Sequence, residues 1–167
     1  MKILGVDPSL RETGYGIIDT NGGEFKVLAL GTIKNQASLL PSRCLVRISD
    51  TLKTLIQEHQ PQVMAVEGLF FCQNMKTALT LGQARGAALL AAAEHGLEIF
   101  EYAPRRVKQS IVGHGGAQKL QVGKMVQRML GISEEPPEDA ADALAVALCH
   151  AQSSKGLAAQ LNPPKQI

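Results

Sequence analysis

Asp139 and Asp142 stand three residues apart at the head of EDAADALAVALCH, residues 138–150. The stretch reads as a helix, and three residues of helix turn roughly 300°, so the two carboxylates lie on one face, a turn above one another. Stacked like charges repel and weaken a helix unless something compensates. Two more acids occupy suggestive places. Asp7 follows the apolar run ILGV and Glu67 follows VMAV, so each reads as the end of a buried strand. A carboxylate there is costly unless it is paired. Lysines could pair one such acid, but four converging acids call for hard divalent cations. Mg²⁺ takes carboxylate oxygens at about 2.0–2.1 Å, and a carboxylate-only set without His or Cys favours Mg²⁺ or Mn²⁺ over zinc. Two such ions roughly 3.5–4 Å apart are suited to in-line phosphoryl transfer, one activating water and the other neutralising the leaving oxygen.

These residues need elements to hold them. Residues 2–6, 15–19 and 26–33 read as three consecutive strands, with the turn signal Asn21-Gly22-Gly23 between the second and third. Leu45, Ile48, Leu52, Leu55 and Ile56 recur at helical spacing after Pro41 and stop before Pro61. Residues 62–66 are a fourth strand, 75–94 a long helix closed by Gly96, and 97–102 a fifth strand. Helices over 104–112, 118–130 and 138–151 follow, the first two separated by the loop around His114. A three-strand meander followed by alternating helix and strand predicts an α/β layer fold with a mixed five-stranded sheet flanked by helices. Open α/β sheets keep their chemistry at strand ends, so Asp7 and Glu67 converge if the first and fourth strands are neighbours.

Charge distribution suggests the substrate. Residues 102–133 contain no acid but six cations: Arg105, Arg106, Lys108, Lys119, Lys124 and Arg128. Residues 134–142 then hold five acids, Glu134, Glu135, Glu138, Asp139 and Asp142. A basic block can be a solvated face and nothing more. Set beside an acidic cluster, it suggests a polyanion held next to a cation site, and hence a nucleic-acid phosphodiester.

The 167 residues, nearly half apolar and 19% charged, suit one globular domain. We expect that domain over residues 1–152, with 153–167 a flexible and dispensable tail. The longest small-apolar run, residues 86–93, is too short to cross a membrane, and MKILGV does not read as a signal peptide. Cys44, Cys72 and Cys149 are scattered with no CxxC pair, which favours reduced thiols in a cytoplasmic protein. His114 and His150 are assigned no chemistry. The helix over 75–94 has Ala or Gly on several faces, which predicts burial on two sides: the sheet on one, and a twin helix of a homodimer on the other. On this reading Ala88 is exposed in one chain and buried in the pair.

The segments GVDPSLRETGYGIID, VEGLFF, LGQARGAALLAAA, RRVKQSIVGHGGAQKLQV and DAADALAVALCH resemble RuvC-type Holliday junction resolvases, in the same order and over residues 2–151. The resemblance implies a ribonuclease-H-like fold, a homodimer, and Mg²⁺-dependent paired nicking of four-way DNA junctions. It matches Asp7, Glu67, Asp139 and Asp142 to the family's catalytic and metal-holding acids, with two Mg²⁺ per site and Mn²⁺ as a substitute. Phe70 matches an aromatic that stacks on unpaired bases, an interaction worth roughly 1–3 kcal/mol per base, whereas Phe71 is left to the core. Lys108 and Lys119 match basic residues around the cleaved phosphate, Lys119 within the catalytic set. Arg105, Arg106 and Lys124 are added as DNA-binding candidates from the basic segment. The family further suggests the branch-migration complex RuvAB as partner. The GHGG connection is looser than is typical of the family, and the tail shows no match. Two rivals are an actin-like ATPase relative, suggested by the hairpin around PSLRETG, and a non-catalytic junction-binding protein whose acids are structural.

Overall fold

The computed structural model describes residues 1–21, 23–68, 74–154, 163 and 165–167. The chain runs β1 (Lys2–Asp7), β2 (Glu12–Asn21), β3 (Glu24–Lys34), α1 (Pro41–His59), β4 (Val63–Glu67), α2 (Met75–Glu94), β5 (Glu98–Tyr102), α3 (Pro104–Val112), α4 (Lys119–Leu130), α5 (Glu138–Ser153) and β6 (Lys165–Gln166). The sheet order is β3-β2-β1-β4-β5-β6. β1 to β3 form an antiparallel meander, while β4 pairs parallel with both β1 and β5. The sheet is therefore mixed, as the element pattern predicts.

Alternation along the strands divides two cores. Ile3, Val63 and Ala65 face α3, α4 and α5, whereas Leu4, Val6, Met64 and Val66 face α1 and α2. Side chains two apart share a face of a strand. Asp7 therefore follows Ile3 and Gly5 toward α5, and Glu67 follows Val63 and Ala65 the same way. α5 is buried along nearly its whole length. It lies against the sheet because three glycines make room. A Cβ on Gly5 would overlap the Ala143 carbonyl, one on Gly14 the Asp139 carbonyl, and one on Gly16 the Leu144 side chain.

Two expectations are revised. The sheet has six strands rather than five, because Lys165 and Gln166 pair antiparallel with Glu101 and Phe100. That pairing also returns the end of the tail to the sheet, and Lys165 Nζ bonds Glu101 Oε1 at 2.8 Å. A two-residue edge strand of polar residues carries no periodicity by which to find it. Ala88 is fully buried within the single chain, packed with Ala84, Ala91 and Ala92 against the sheet. Small residues on several sides of α2, with apolar residues on the outward side too, leave no single stripe from which to read its rotational phase. The side of α2 that faces out carries Met75, Leu79 and Leu90, with open space beside Gly82 and Gly86. Among the described residues Cys44 and Cys149 are buried free thiols; Cys72, with Phe70 and Phe71, lies outside them.

Candidate active site

The parallel register sets Val6 beside Val66, so the next residues, Asp7 and Glu67, emerge together from the carboxyl ends of adjacent strands. α5 crosses that edge with its first turns. Asp7, Glu67 and Asp142 consequently line one cavity of ≈ 350 Å³, together with Lys108 of α3 and Lys119 of α4. Pro104, Val107, Val122, Ala145 and Val146 complete an apolar wall. Asp139 is half-buried one turn earlier and does not line the cavity.

The cavity is electrostatically tense. Burial, then the charges of Asp142 and Asp139, push the Asp7 carboxyl up to about 6, against the opposing pull of Lys119. Burial, then Asp7 and Asp142, push Glu67 up to about 7, with Lys119 and Lys108 pulling the other way. Asp139 is raised by burial and by the field of Glu12 more than by Asp142. Perturbation of this kind, by desolvation and like charge in a cleft, is characteristic of functional carboxylates.

Lys119 answers part of the repulsion. Its Nζ donates to Asp142 Oδ2 and to Glu138 Oε1, both at 3.0 Å, and these bonds raise its pKa. Glu138 was not among the expected site residues, although it sits in the acid run that pointed to the site. Among the described residues no three acidic, histidine or cysteine side chains are gathered closely enough to form a ready ligand cluster. The donor set nevertheless suits hard divalent cations. It is all carboxylate, three of its four acids line one cavity, and Lys119 already serves there as a counter-cation.

The remaining expected residues separate into groups. Lys108 and Lys119 join the acids. Arg105 and Arg106 instead line a second hollow of ≈ 440 Å³ on the other side of α3, with Glu101, Gln109, Pro163 and Lys165. Arg106 stacks over Tyr102 with its guanidinium carbon 5.3 Å from the ring centre. Lys124 is exposed on α4 and lines neither cavity. Phe70 lies outside the described residues. His150, assigned no chemistry, is buried at the far end of α5, where Nδ1 lies 2.8 Å from the Tyr102 hydroxyl. Burial holds its pKa down at about 4.

Sequence reasoning missed Arg85. It is the lone charge in the middle of α2, and only 8% of it is exposed. Its Nη1 donates to the backbone carbonyl of Glu67 at 2.6 Å, and its Nη2 to Glu101 Oε2. An isolated cation in an Ala/Gly-rich helix was the available signal.

A family profile described as crossover junction endodeoxyribonuclease RuvC matches residues 3–150. The protein of that name from Caldicellulosiruptor saccharolyticus is 50% identical over 159 residues, covering 94% of this chain and 96% of its own. Its namesake from Nitrosomonas eutropha is 49% identical over 159 residues, covering 95% and 89%. Among solved structures, T. thermophilus RuvC in complex with Holliday junction substrate superposes with a TM-score of 0.90 at 33% identity, over 100% of this chain and 99% of that one. The yeast mitochondrial Holliday junction resolvase, 12% identical, shares the fold alone, with a TM-score of 0.59 over 88% and 77% of the two chains. The fold is thus ribonuclease-H-like.

Proposed function

The chain belongs to the crossover junction endodeoxyribonuclease RuvC family, and from that membership and the cavity geometry we propose that it resolves four-way DNA junctions by paired, symmetric nicks. The observation that carries the chemistry is the convergence of Asp7, Glu67 and Asp142 on one cavity whose wall also bears Lys108 and Lys119.

Asp7, Glu67, Asp139 and Asp142 would hold the cations, two Mg²⁺ with Mn²⁺ as substitute. Such ions supply acidified water and charge neutralisation at the phosphate. The chain's own groups do the rest. Asp7 and Glu67, raised to about 6 and about 7 by burial and by neighbouring carboxylates in the absence of a cation, are the groups whose repulsion a bound cation would relieve. Water oxygen bonds to phosphorus, one P–O ester bond breaks, and a proton ends on the departing sugar oxygen. Lys119 and Lys108 place positive charge where the phosphate gains negative charge. The apolar wall on one side of the cavity lowers the local dielectric and strengthens these interactions. Lys119 holds Asp142 at the cavity through its 3.0 Å bond and would contact the phosphate of a bound strand.

DNA contacts are assigned to Lys108 and Lys119 at the cut site, with Arg105, Arg106 and Lys124 farther along the backbone and Phe70 stacking on bases. A junction yields two intact duplexes only if opposite strands are cut at matching positions, and one cavity cuts one bond at a time. A two-fold dimer supplies the second cavity. The outward stripe of α2, Met75, Leu79 and Leu90 beside Gly82 and Gly86, is the assigned interface, since its open glycines admit a close helix. A branch-migration complex of the RuvAB kind is the expected partner, and the cytoplasm the expected place. Among the described residues no helix is long and apolar enough to cross a membrane.

The deciding experiment is incubation with a synthetic four-way junction, with and without Mg²⁺, the nicks being mapped on denaturing gels. Symmetric metal-dependent nicks are expected. Binding without nicks would make it a junction-binding protein, and ATP hydrolysis without nucleic acid would favour the actin-like relationship.

A further inference from the structure

A guanidinium inside an apolar helix face is costly unless its donors are bonded. Arg85 sits between Ala84 and Ala88 on the buried side of α2. Glu101, its anchor, points from β5 to the same side of the sheet and is also paired with Lys165. The pair thus compensates charge, but any buried carboxylate near α2 could have done that. What is particular is the other donor. It reaches the carbonyl of Glu67, the last residue of β4.

That carbonyl belongs to the peptide unit joining Glu67 to Gly68. The N–H of the same unit donates to Tyr102 O at 2.9 Å. Both polar atoms of one peptide are therefore held, the N–H by β5 and the carbonyl by α2. Strand ends usually fray, because their outer peptide groups have no ladder partner. Here the plane that follows Glu67 is locked, and with it the direction in which the Glu67 side chain leaves the backbone.

We propose that Arg85 is a positioning residue for Glu67: anchored on Glu101, it fixes the peptide after Glu67 and so holds that carboxylate at the cavity in the orientation a divalent cation requires. This rests on the nuclease reading above. Groups that orient a metal-holding side chain without touching the metal commonly matter about 10–100-fold in affinity.

Mn²⁺ binding to the full chain, read from the free-ion signal in electron paramagnetic resonance, tests this without DNA. Arg85→Lys keeps the charge but not the two-pronged geometry. It is expected to weaken Mn²⁺ binding about tenfold. Ala91→Gly, buried in the same helix, serves as the control for general loosening, because it lowers stability through backbone entropy without touching Glu67. It should leave Mn²⁺ affinity unchanged at a comparable loss of thermal stability. Unchanged affinity in Arg85→Lys, or equal losses in both variants, overturns the proposal. If Arg85→Lys does not fold, Glu101→Gln decides. It keeps Arg85 but loosens its anchor, so a smaller loss of Mn²⁺ affinity supports the proposal and none overturns it. Junction cleavage by the unaltered chain judges the nuclease reading separately. A chain that cuts junctions and binds Mn²⁺ equally well with Lys at position 85 would sink the Arg85 assignment alone.

Discussion

Lys119 Nζ lies 3.0 Å from Asp142 Oδ2, so α4 reaches across to hold an acid at the head of α5. The contact is two-thirds exposed on the lysine side, and exposed pairs contribute little to stability. Its value is positional: a cation is kept at the cavity mouth.

Lys119→Ala is therefore expected to leave the fold intact and to slow the chemistry. With enzyme saturating in single turnover, the nicking rate should fall on the order of 10²-fold, as loss of a transition-state charge partner does. Lys108→Ala should lose less. If the rate at saturation is unchanged and only the salt dependence of binding falls, by about one unit of slope, Lys119 touches distant backbone instead.

The acids should cost the metal-free protein stability. Asp7 rises from 3.8 to about 6, and Glu67 from 4.5 to about 7. The native state thus binds more protons than the unfolded chain between those values, and stability must fall as pH rises through them. Below pH 4 the two groups contribute their full share; above pH 7 it is lost. In EDTA at pH 8, Asp7→Asn and Glu67→Gln should each melt higher than the parent, by about 2–4 °C for each kcal/mol relieved. The advantage should vanish near pH 4. Mg²⁺ should raise the parent's melting temperature at pH 8 and the variants' less. Equal melting at pH 8 in EDTA would show that these carboxylates are not strained. Both variants should bind junctions nearly as the parent does and fail to cut them.

Two substitutions in α2 should part company. Leu90 is 55% exposed and Ala88 wholly buried. Leu90→Glu is expected to fold, sediment as a monomer and leave mostly single nicks. Ala88→Glu should instead unfold the chain, since an unpaired buried carboxylate costs on the order of 3–5 kcal/mol. A dimeric Leu90→Glu that resolves junctions normally would move the interface to another face.

Gly14→Ala tests how closely α5 must approach. The added methyl would meet the Asp139 carbonyl, pushing the first turn of α5 and both its aspartates off the sheet. Displacement of order 1 Å can cost on the order of 10²-fold in rate, so nicking should collapse while much of the helix content persists in circular dichroism. Gly123→Ala in α4, where a methyl meets nothing, should gain about 0.5–1 kcal/mol. Normal cleavage by Gly14→Ala would mean that the helix need not sit so close.

Local features were legible in the sequence for physical reasons. Proline at the first position starts α1 and α3, and a left-handed glycine ends α3 and α4, both of which punctuate helices in the sequence itself. Apolar runs closed by Asp7 and Glu67 marked strand ends because burial cannot tolerate a lone carboxylate without cause. Four acids without His or Cys are the pattern from which the expectation of hard cations came. Tertiary structure decided everything that depends on which elements touch. Only the parallel pairing of β1 with β4 makes Asp7 and Glu67 neighbours, across 60 residues of chain. Only the seat made by Gly5, Gly14 and Gly16 brings Asp142 to them, and only the approach of α4 sets Lys119 on Asp142. Ala88 could not be placed because α2 carries small residues on several faces and large apolar ones on its outward face, so no single stripe marks its phase. Arg85 could not be given a role, because the carbonyl it holds is a backbone group, and every residue has one.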